Sequence, residues 1–179
     1  MRFRGYDFPA FRQLTGHQQT GWRKVHLKHK KSFEKDHAIG VIVYHDFHGL
    51  FKYLILKHRK GHWSFAKGHR DPGETELMTA VRELHEEAGI DDVEFLKEEV
   101  MLKEKNQFIN GKGVHIKKDV WYFIARSNTE DIVVDNKEIT AYKWCTLFES
   151  ERKLTFKQSY KILREADALI RKHNLKSVT

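Results

Sequence analysis

Cysteine is almost lacking from this chain of 179 residues: Cys145 is alone. That excludes an internal disulfide framework and suits a reducing, cytoplasmic compartment. A single thiol beside Trp144 reads as a small core hydrophobe rather than as a reactive group. No stretch approaches the roughly 18 consecutive apolar residues of a membrane span, so no transmembrane role is expected. Internal repeats and low-complexity tracts are also missing. The twelve histidines include the pairs His26/His29, His45/His48 and His58/His62, but no cysteine pair accompanies them. Solvated histidines near basic strands are therefore expected, not a zinc centre.

What is present describes a globular domain. At 40% hydrophobic and 32% charged residues, the chain is long enough to bury a core of its own. The formal charge of +8 at pH 7 points to an acidic partner, whether nucleic acid, a polyphosphate or an anionic surface, without choosing among them. Residues 1–36 form a basic, acid-poor extension with no sustained periodicity, ahead of a domain expected over residues 37–179. Three readings compete for it: an arm packed on the domain, a nucleic-acid contact through "RKVHLKHKK", and an organelle transit peptide. Scarce serine and the Lys/His richness weigh against the last.

From His37 the pattern sharpens. "AIGVIVYHD" reads as a buried strand, "FHGL" as a turn, "LFKYLILKH" as the return strand and "HWSFAKG" as a short strand ending at Gly68. Residues 75–88 read as a helix with Thr75 as N-cap, Gly89 as its stop, and a buried stripe of Leu77, Ala80, Val81, Leu84 and Ala88. "VEFLKEEVML", "VHIKKDVWYFIARS" and "ITAYKWCTL" are strand-like, and "DIVV" reads as a small extra strand. A second helix is expected near residues 156–173, burying Phe156, Tyr160, Leu163, Ala166 and Ile170. This alternation implies an α+β fold with a mixed sheet between helical layers.

One feature of the first helix asks for an explanation. Glu83, Glu86 and Glu87 share an arc of about 100° beside the apolar stripe. Like charges at these spacings repel by roughly 0.2 to 0.5 kcal/mol per pair. Three oxygen donors so close together suit a hard divalent cation, Mg²⁺ or Mn²⁺, which would remove the repulsion. A solvated acidic face is the alternative; such faces usually interleave Lys or Arg, and here only Arg82 does so, against Glu86. Spacing alone leaves the two readings level.

The segment "GHRDPGETELMTAVRELHEEAGI" decides between them. It runs from Gly68 through Glu74, Arg82-Glu83 and Glu86-Glu87 to Gly89, and it resembles the Nudix box at every fixed position. The resemblance implies a Nudix fold over roughly residues 37–173 and a hydrolase acting on a nucleoside diphosphate linked to another group. It implies that Glu83, Glu86 and Glu87 hold the divalent ions and that Glu74 reaches back to Arg82, which orients the helix. The ions would make phosphorus electrophilic and water more acidic, with one carboxylate as general base.

Outside the box, "HWSFAKGH" and "KEITAYKW" resemble the asymmetric diadenosine tetraphosphate hydrolases. That likeness implies Trp63, Lys67 and His69 near the phosphates, Glu138 as a distal carboxylate, and Tyr142 and Trp144 alongside. It implies Lys118 on a phosphate and Phe108 stacked on a base. Ala66 stands where the subgroup has Pro, and Phe108 where it has Tyr. The expected partner is thus a small nucleoside polyphosphate. An RNA 5′ end, reached through the basic extension, and a non-catalytic nucleotide-binding module are the alternatives.

Overall fold

The computed structural model describes residues 33–97 and 101–177. The basic extension therefore lies outside the described residues up to residue 32, with its "RKVHLKHKK" run and the His26/His29 pair. Strand β1 (Glu34–Phe47) starts three residues earlier than the expected domain boundary, so Glu34, Lys35 and Asp36 belong to the sheet. β2 (Leu50–His58), β3 (Trp63–Ser64) and β4 (Ala66–Gly68) follow, then helix α1 (Glu76–Ala88). The rest comprises β5 (Val93–Phe95), β6 (Leu102–Ile109), β7 (His115–Ser127), β8 (Ile139–Cys145), α2 (Leu147–Lys153) and α3 (Lys157–Ser177).

The strands form one mixed sheet. β1 and β7 run parallel over eleven paired positions, Glu34 with Ile116 through Tyr44 with Arg126, and every other pairing is antiparallel. Period-two alternation then explains why "AIGVIV" is apolar without a break. Ile39, Val41 and Val43 face α1 together with Leu54, Leu56, Phe123, Ala80 and Leu84. Ala38, Ile42 and Tyr44 face α3 together with Tyr53, Ile55, Tyr122, Leu163 and Ile170. The expected sheet between helical layers is the observed architecture. Cys145 is buried in the α3-side core, as a small hydrophobe should be.

Several expectations need correction; Phe156, expected to be buried, is 45% exposed and precedes α3. "DIVV" forms no strand. Instead Ile132 and Val134 pack on the α1-side core, and the Val133 N–H donates to the Ala88 carbonyl at 3.0 Å. The segment thereby closes the end of α1. The buried face of α1 is rotated from the expected stripe: Val81 is 40% exposed, whereas Thr79 and Glu87 are buried. Helix α2 and strand β6 were not expected as separate elements. α2 opens with a capping box of Thr146 and Glu149.

Gly40 is where three elements meet. A Cβ there would stand 2.2 Å from the Ala66 carbonyl oxygen, 2.7 Å from the Lys67 Cβ and 2.8 Å from the Tyr122 ring. The first of these is backbone and cannot swing aside. Gly40→Ala should therefore cost on the order of 1 to 3 kcal/mol, as overpacking of a tight site does. At this chain length that lowers Tm by roughly 2 to 4 °C per kcal/mol, readable by calorimetry. An unchanged Tm would show that β4 is not clamped onto β1.

Candidate active site

The loop after β4 and the first turns of α1 are held by one guanidinium. Arg82 Nε donates to Glu74 Oε1 at 2.7 Å and Nη2 donates to Glu74 Oε2 at 3.0 Å. This is the bidentate pairing that fixes geometry as well as charge. Nη2 also donates to the His69 carbonyl at 2.9 Å, and Nη1 donates to Glu83 Oε1 at 2.8 Å and Glu86 Oε2 at 3.1 Å. Glu74 further accepts from the Asp71 N–H and the Thr79 hydroxyl. Chiefly through Arg82, its carboxyl is held down at about 2. Thr75 caps the helix by accepting from the Met78 N–H, and Gly89 ends it with φ +64°.

The three clustered glutamates differ sharply in surroundings. The Glu87 side chain is only 5% exposed, Glu83 12% and Glu86 56%. Burial raises the Glu87 carboxyl well above the usual range; the Lys67 charge opposes this, while Glu83 and Glu138 add to it. Burial likewise raises Glu83, with Arg82 opposing and Glu86 and Glu138 reinforcing. Gly68 leaves room for the Glu83 carboxylate, since a Cβ there would lie 1.9 Å from Glu83 Oε1. As placed, no three His, Cys, Asp or Glu side chains among the described residues converge as a metal cage. Glu83 and Glu86 turn to Arg82, and Glu87 Oε2 accepts the Lys67 N–H at 3.0 Å. The donor set still fits a hard divalent cation: partly desolvated carboxylates whose pKa values are raised first by burial and further by neighbouring acids.

Cationic groups face these acids. The Lys67 ammonium donates to His58 Nε2 at 3.2 Å and to the Phe65 carbonyl at 3.4 Å, and burial lowers its pKa. His69 Nε2 and the Lys118 ammonium each lie 2.7 Å from an oxygen of Asp36, which joins two of the expected phosphate contacts. Phe108 is 46% exposed and sits two positions along β6 from Asn106, the register partner of Lys118. Glu138, exposed just before β8, is close enough to act on Glu83 and Glu87.

Trp63 and Tyr142 lie on opposite sides of the sheet. Trp63 packs against the α3-side core, with the Lys153 ammonium 3.5 Å over its ring. Tyr142 pairs with Leu56, a residue of the α1-side core, whereas Lys118 shares the other face with Val120. Trp144 lies on the α1 side too, its indole N–H donating to the Glu130 carbonyl at 2.9 Å.

Sequence reasoning missed His58 and His62. His58 is buried and His62 half-buried, and the two rings stack with centroids 4.4 Å apart and planes within 4°. Burial and the neighbouring Lys67 hold both imidazoles neutral, down to about 3 for His58 and about 4 for His62. His58 Nδ1 lies 3.7 Å from Glu87 Oε1, so a neutral ring separates the acid from the ammonium. Their spacing across Gly61 in a tight turn was the available signal.

Fold and site together define an α/β/α sandwich with a carboxylate-rich, glycine-flanked helix laid against the sheet. Residues 34–166 match the NUDIX domain. The bis(5′-nucleosyl)-tetraphosphatase [asymmetrical] of Caenorhabditis elegans is 32% identical over 138 residues, spanning 74% of this chain and 95% of that protein. An RNA pyrophosphohydrolase of Legionella pneumophila is 29% identical over 151 residues, spanning 75% and 84%. Among solved structures, the binary complex of the C. elegans Ap4A hydrolase superposes with a TM-score of 0.67 at 28% identity, covering 76% of this chain and 98% of that one. The chain belongs to the NUDIX domain family.

The Glu87 shift makes a pH prediction. Its folded pKa is raised, so the native state keeps a proton that the unfolded chain has already lost. Stability of the metal-free protein therefore falls as pH rises from the ordinary glutamate pKa towards the raised one. Glu87→Gln removes that loss while keeping an acceptor for the Lys67 N–H. In chelator, its Tm advantage over wild type should widen from pH 5 to pH 8. A constant difference would show that Glu87 titrates normally.

Proposed function

We propose that this protein is a divalent-metal-dependent pyrophosphohydrolase that cleaves diadenosine tetraphosphate asymmetrically to ATP and AMP. The observation that carries it is the pair of partly desolvated acids, Glu83 and Glu87, set against Lys67 with the His69–Asp36–Lys118 cluster. The relatives named as asymmetrical tetraphosphatases support the choice of substrate. A lone buried cysteine and the lack of a long apolar helix among the described residues suit a cytoplasmic enzyme.

Glu83, Glu86 and Glu87 would hold the cation, Mg²⁺ or Mn²⁺. When bound, it supplies Lewis-acid activation of the phosphoryl group and of the attacking water. The chain's own residues do the rest. Arg82 orients the glutamates by tying α1 to the loop through Glu74 and the His69 carbonyl. Lys67, His69 and Lys118 neutralise the polyphosphate, which is where positive charge helps most in phosphoryl transfer. A carboxylate with a raised pKa takes the proton of the attacking water, and Glu138, whose charge acts on Glu83 and Glu87, shares that work. Phe108 offers a ring face to a base, a contact worth roughly 1 to 3 kcal/mol in other systems.

Glu86→Gln or Glu87→Gln should lower turnover by orders of magnitude at saturating Mg²⁺ with the fold intact by circular dichroism. Wild-type turnover in either variant would remove the metal assignment. Lys118→Ala should act mainly on substrate binding, raising KM.

A second reading has its own support. The RNA pyrophosphohydrolase relative and the basic extension favour an RNA 5′ end as substrate, bound through phosphate contacts along the strand. Deleting residues 1–32 separates the two. RNA turnover should fall and become less salt-sensitive under this reading, while dinucleotide turnover barely changes.

A further inference from the structure

Arg59, in the turn between β2 and β3, grips a loop that the chemistry above depends on. Its Nε donates to the Lys137 carbonyl and its Nη2 to the Asn136 carbonyl. Its backbone N–H donates to the Glu138 carbonyl at 2.7 Å. One residue thus takes the carbonyls of three successive residues. From within the loop, Asp135 carboxylate oxygens accept the N–H groups of Glu138 and Ile139, each at 2.9 Å. Between these two grips Asn136 is held at φ +57°, in the left-handed region where non-glycine residues are uncommon.

The turn that presents Arg59 is itself braced. The His58 N–H donates to the His62 carbonyl at 2.9 Å and the Gly61 N–H to the His58 carbonyl at 2.8 Å. His58 is fixed in turn by stacking on His62 and by the Lys67 ammonium, beside Glu87. Adjacent residues therefore touch the two sides of the site: His58 the buried acid, Arg59 the loop that ends in Glu138. Polar fixation this dense on an exposed four-residue tip exceeds what connecting two elements requires.

We propose that Arg59 is a positioning residue whose guanidinium, closed on the carbonyls of Asn136 and Lys137, holds the Glu138 carboxylate at a set distance from Glu83 and Glu87. This rests on the reading that Glu138 serves the hydrolysis. A lysine cannot substitute, because a point-like ammonium has no planar fork to span two carbonyls. Arg59 acts only through Glu138 and touches no substrate, so its contribution falls on turnover rather than on binding.

The test is a double-mutant cycle on the full chain with diadenosine tetraphosphate: wild type, Arg59→Ala, Arg59→Lys, Glu138→Gln and the Arg59→Ala/Glu138→Gln double variant, with Tm followed throughout. Arg59→Ala should lower kcat by roughly tenfold or more, in line with the penalty for slight misplacement of a catalytic group. KM should stay within about twofold, the signature of a loss confined to the transition state. Arg59→Lys should recover little, and added guanidinium ion should partly restore Arg59→Ala. The double variant should be no slower than Glu138→Gln alone, since Arg59 then has nothing to position. A double loss equal to the product of the single losses, or full kcat in Arg59→Ala, overturns the inference. If Glu138→Gln alone keeps wild-type turnover, it is the reading of Glu138 that fails, and the Arg59 role falls with it. Should Arg59→Ala not fold, Arg59→Lys carries the same cycle with the same expected non-additivity.

Discussion

The rest of this structure depends on keeping the Glu87 carboxylate out of water. An ionised carboxylate buried without partners costs several kcal/mol, and the usual escape is to take up a proton or a counter-charge. Both show here: burial raises the Glu87 carboxyl towards its protonated form, while the Lys67 N–H and ammonium oppose that shift. The rotation of α1 follows. To bring Glu87 under the helix, the buried face must turn towards residues 79, 83 and 87, and Val81 is left exposed. An apolar side chain gives up burial so that a charged one can have it, which a helix selected for stability alone would not do.

Arg82 converts that local arrangement into a rigid site. It binds the loop at Glu74 and the His69 carbonyl, and the helix at Glu83 and Glu86. Two elements joined by a short connection are thus locked by a single planar group. The Arg82 ion pair lowers the pKa of Glu74, while burial raises those of Glu83 and Glu87 despite Arg82 and Lys67 beside them. Acids pushed apart in this way by their surroundings mark a functional site more reliably than acids merely clustered on a helix.

Much of this was legible beforehand, for identifiable reasons. β1, β2 and β7 show as apolar runs because both of their faces are covered. Helix α1 shows because Thr75 and Gly89 bound it, and Glu83, Glu86 and Glu87 because they fall within about one helical turn, whereas Glu74 and Arg82 are marked only by the likeness to the Nudix box. What escaped obeys different rules. β6 reads "LKEKNQFI", a strand whose charged residues meet solvent or a buried polar pocket around Glu104 and Ser159, so no hydrophobic period marks it. Helix α2 is too short for periodicity to show, and only the Thr146/Glu149 capping box announces it. "DIVV" has strand composition, but its apolar groups serve to cover the end of α1. His58 and His62 could not be placed because stacking joins residues that a turn, not a helix or strand, brings together.

The site's two kinds of charge come from different layers, and this constrains how it can work. The acids ride on α1, which packs on one face of the sheet; Asp36 and Lys118 share the opposite face, by strict alternation along β1 and β7. Groups on opposite faces of a sheet cannot meet through it. They can meet only past its end, where β4 is three residues long and leads through Gly68 into the loop. Lys67 is the hinge of that arrangement: its N–H serves Glu87 on the α1 side, while its side chain leaves from the Gly40 face that Asp36 shares, and its ammonium reaches the neutral His58. Under the proposed function, a polyphosphate held by the cations would reach the acids past this end of the sheet, next to Lys67 and Gly68. Any side chain larger than hydrogen at residue 68 would displace the Glu83 carboxylate, so this glycine is what lets the acid lie against the end of β4.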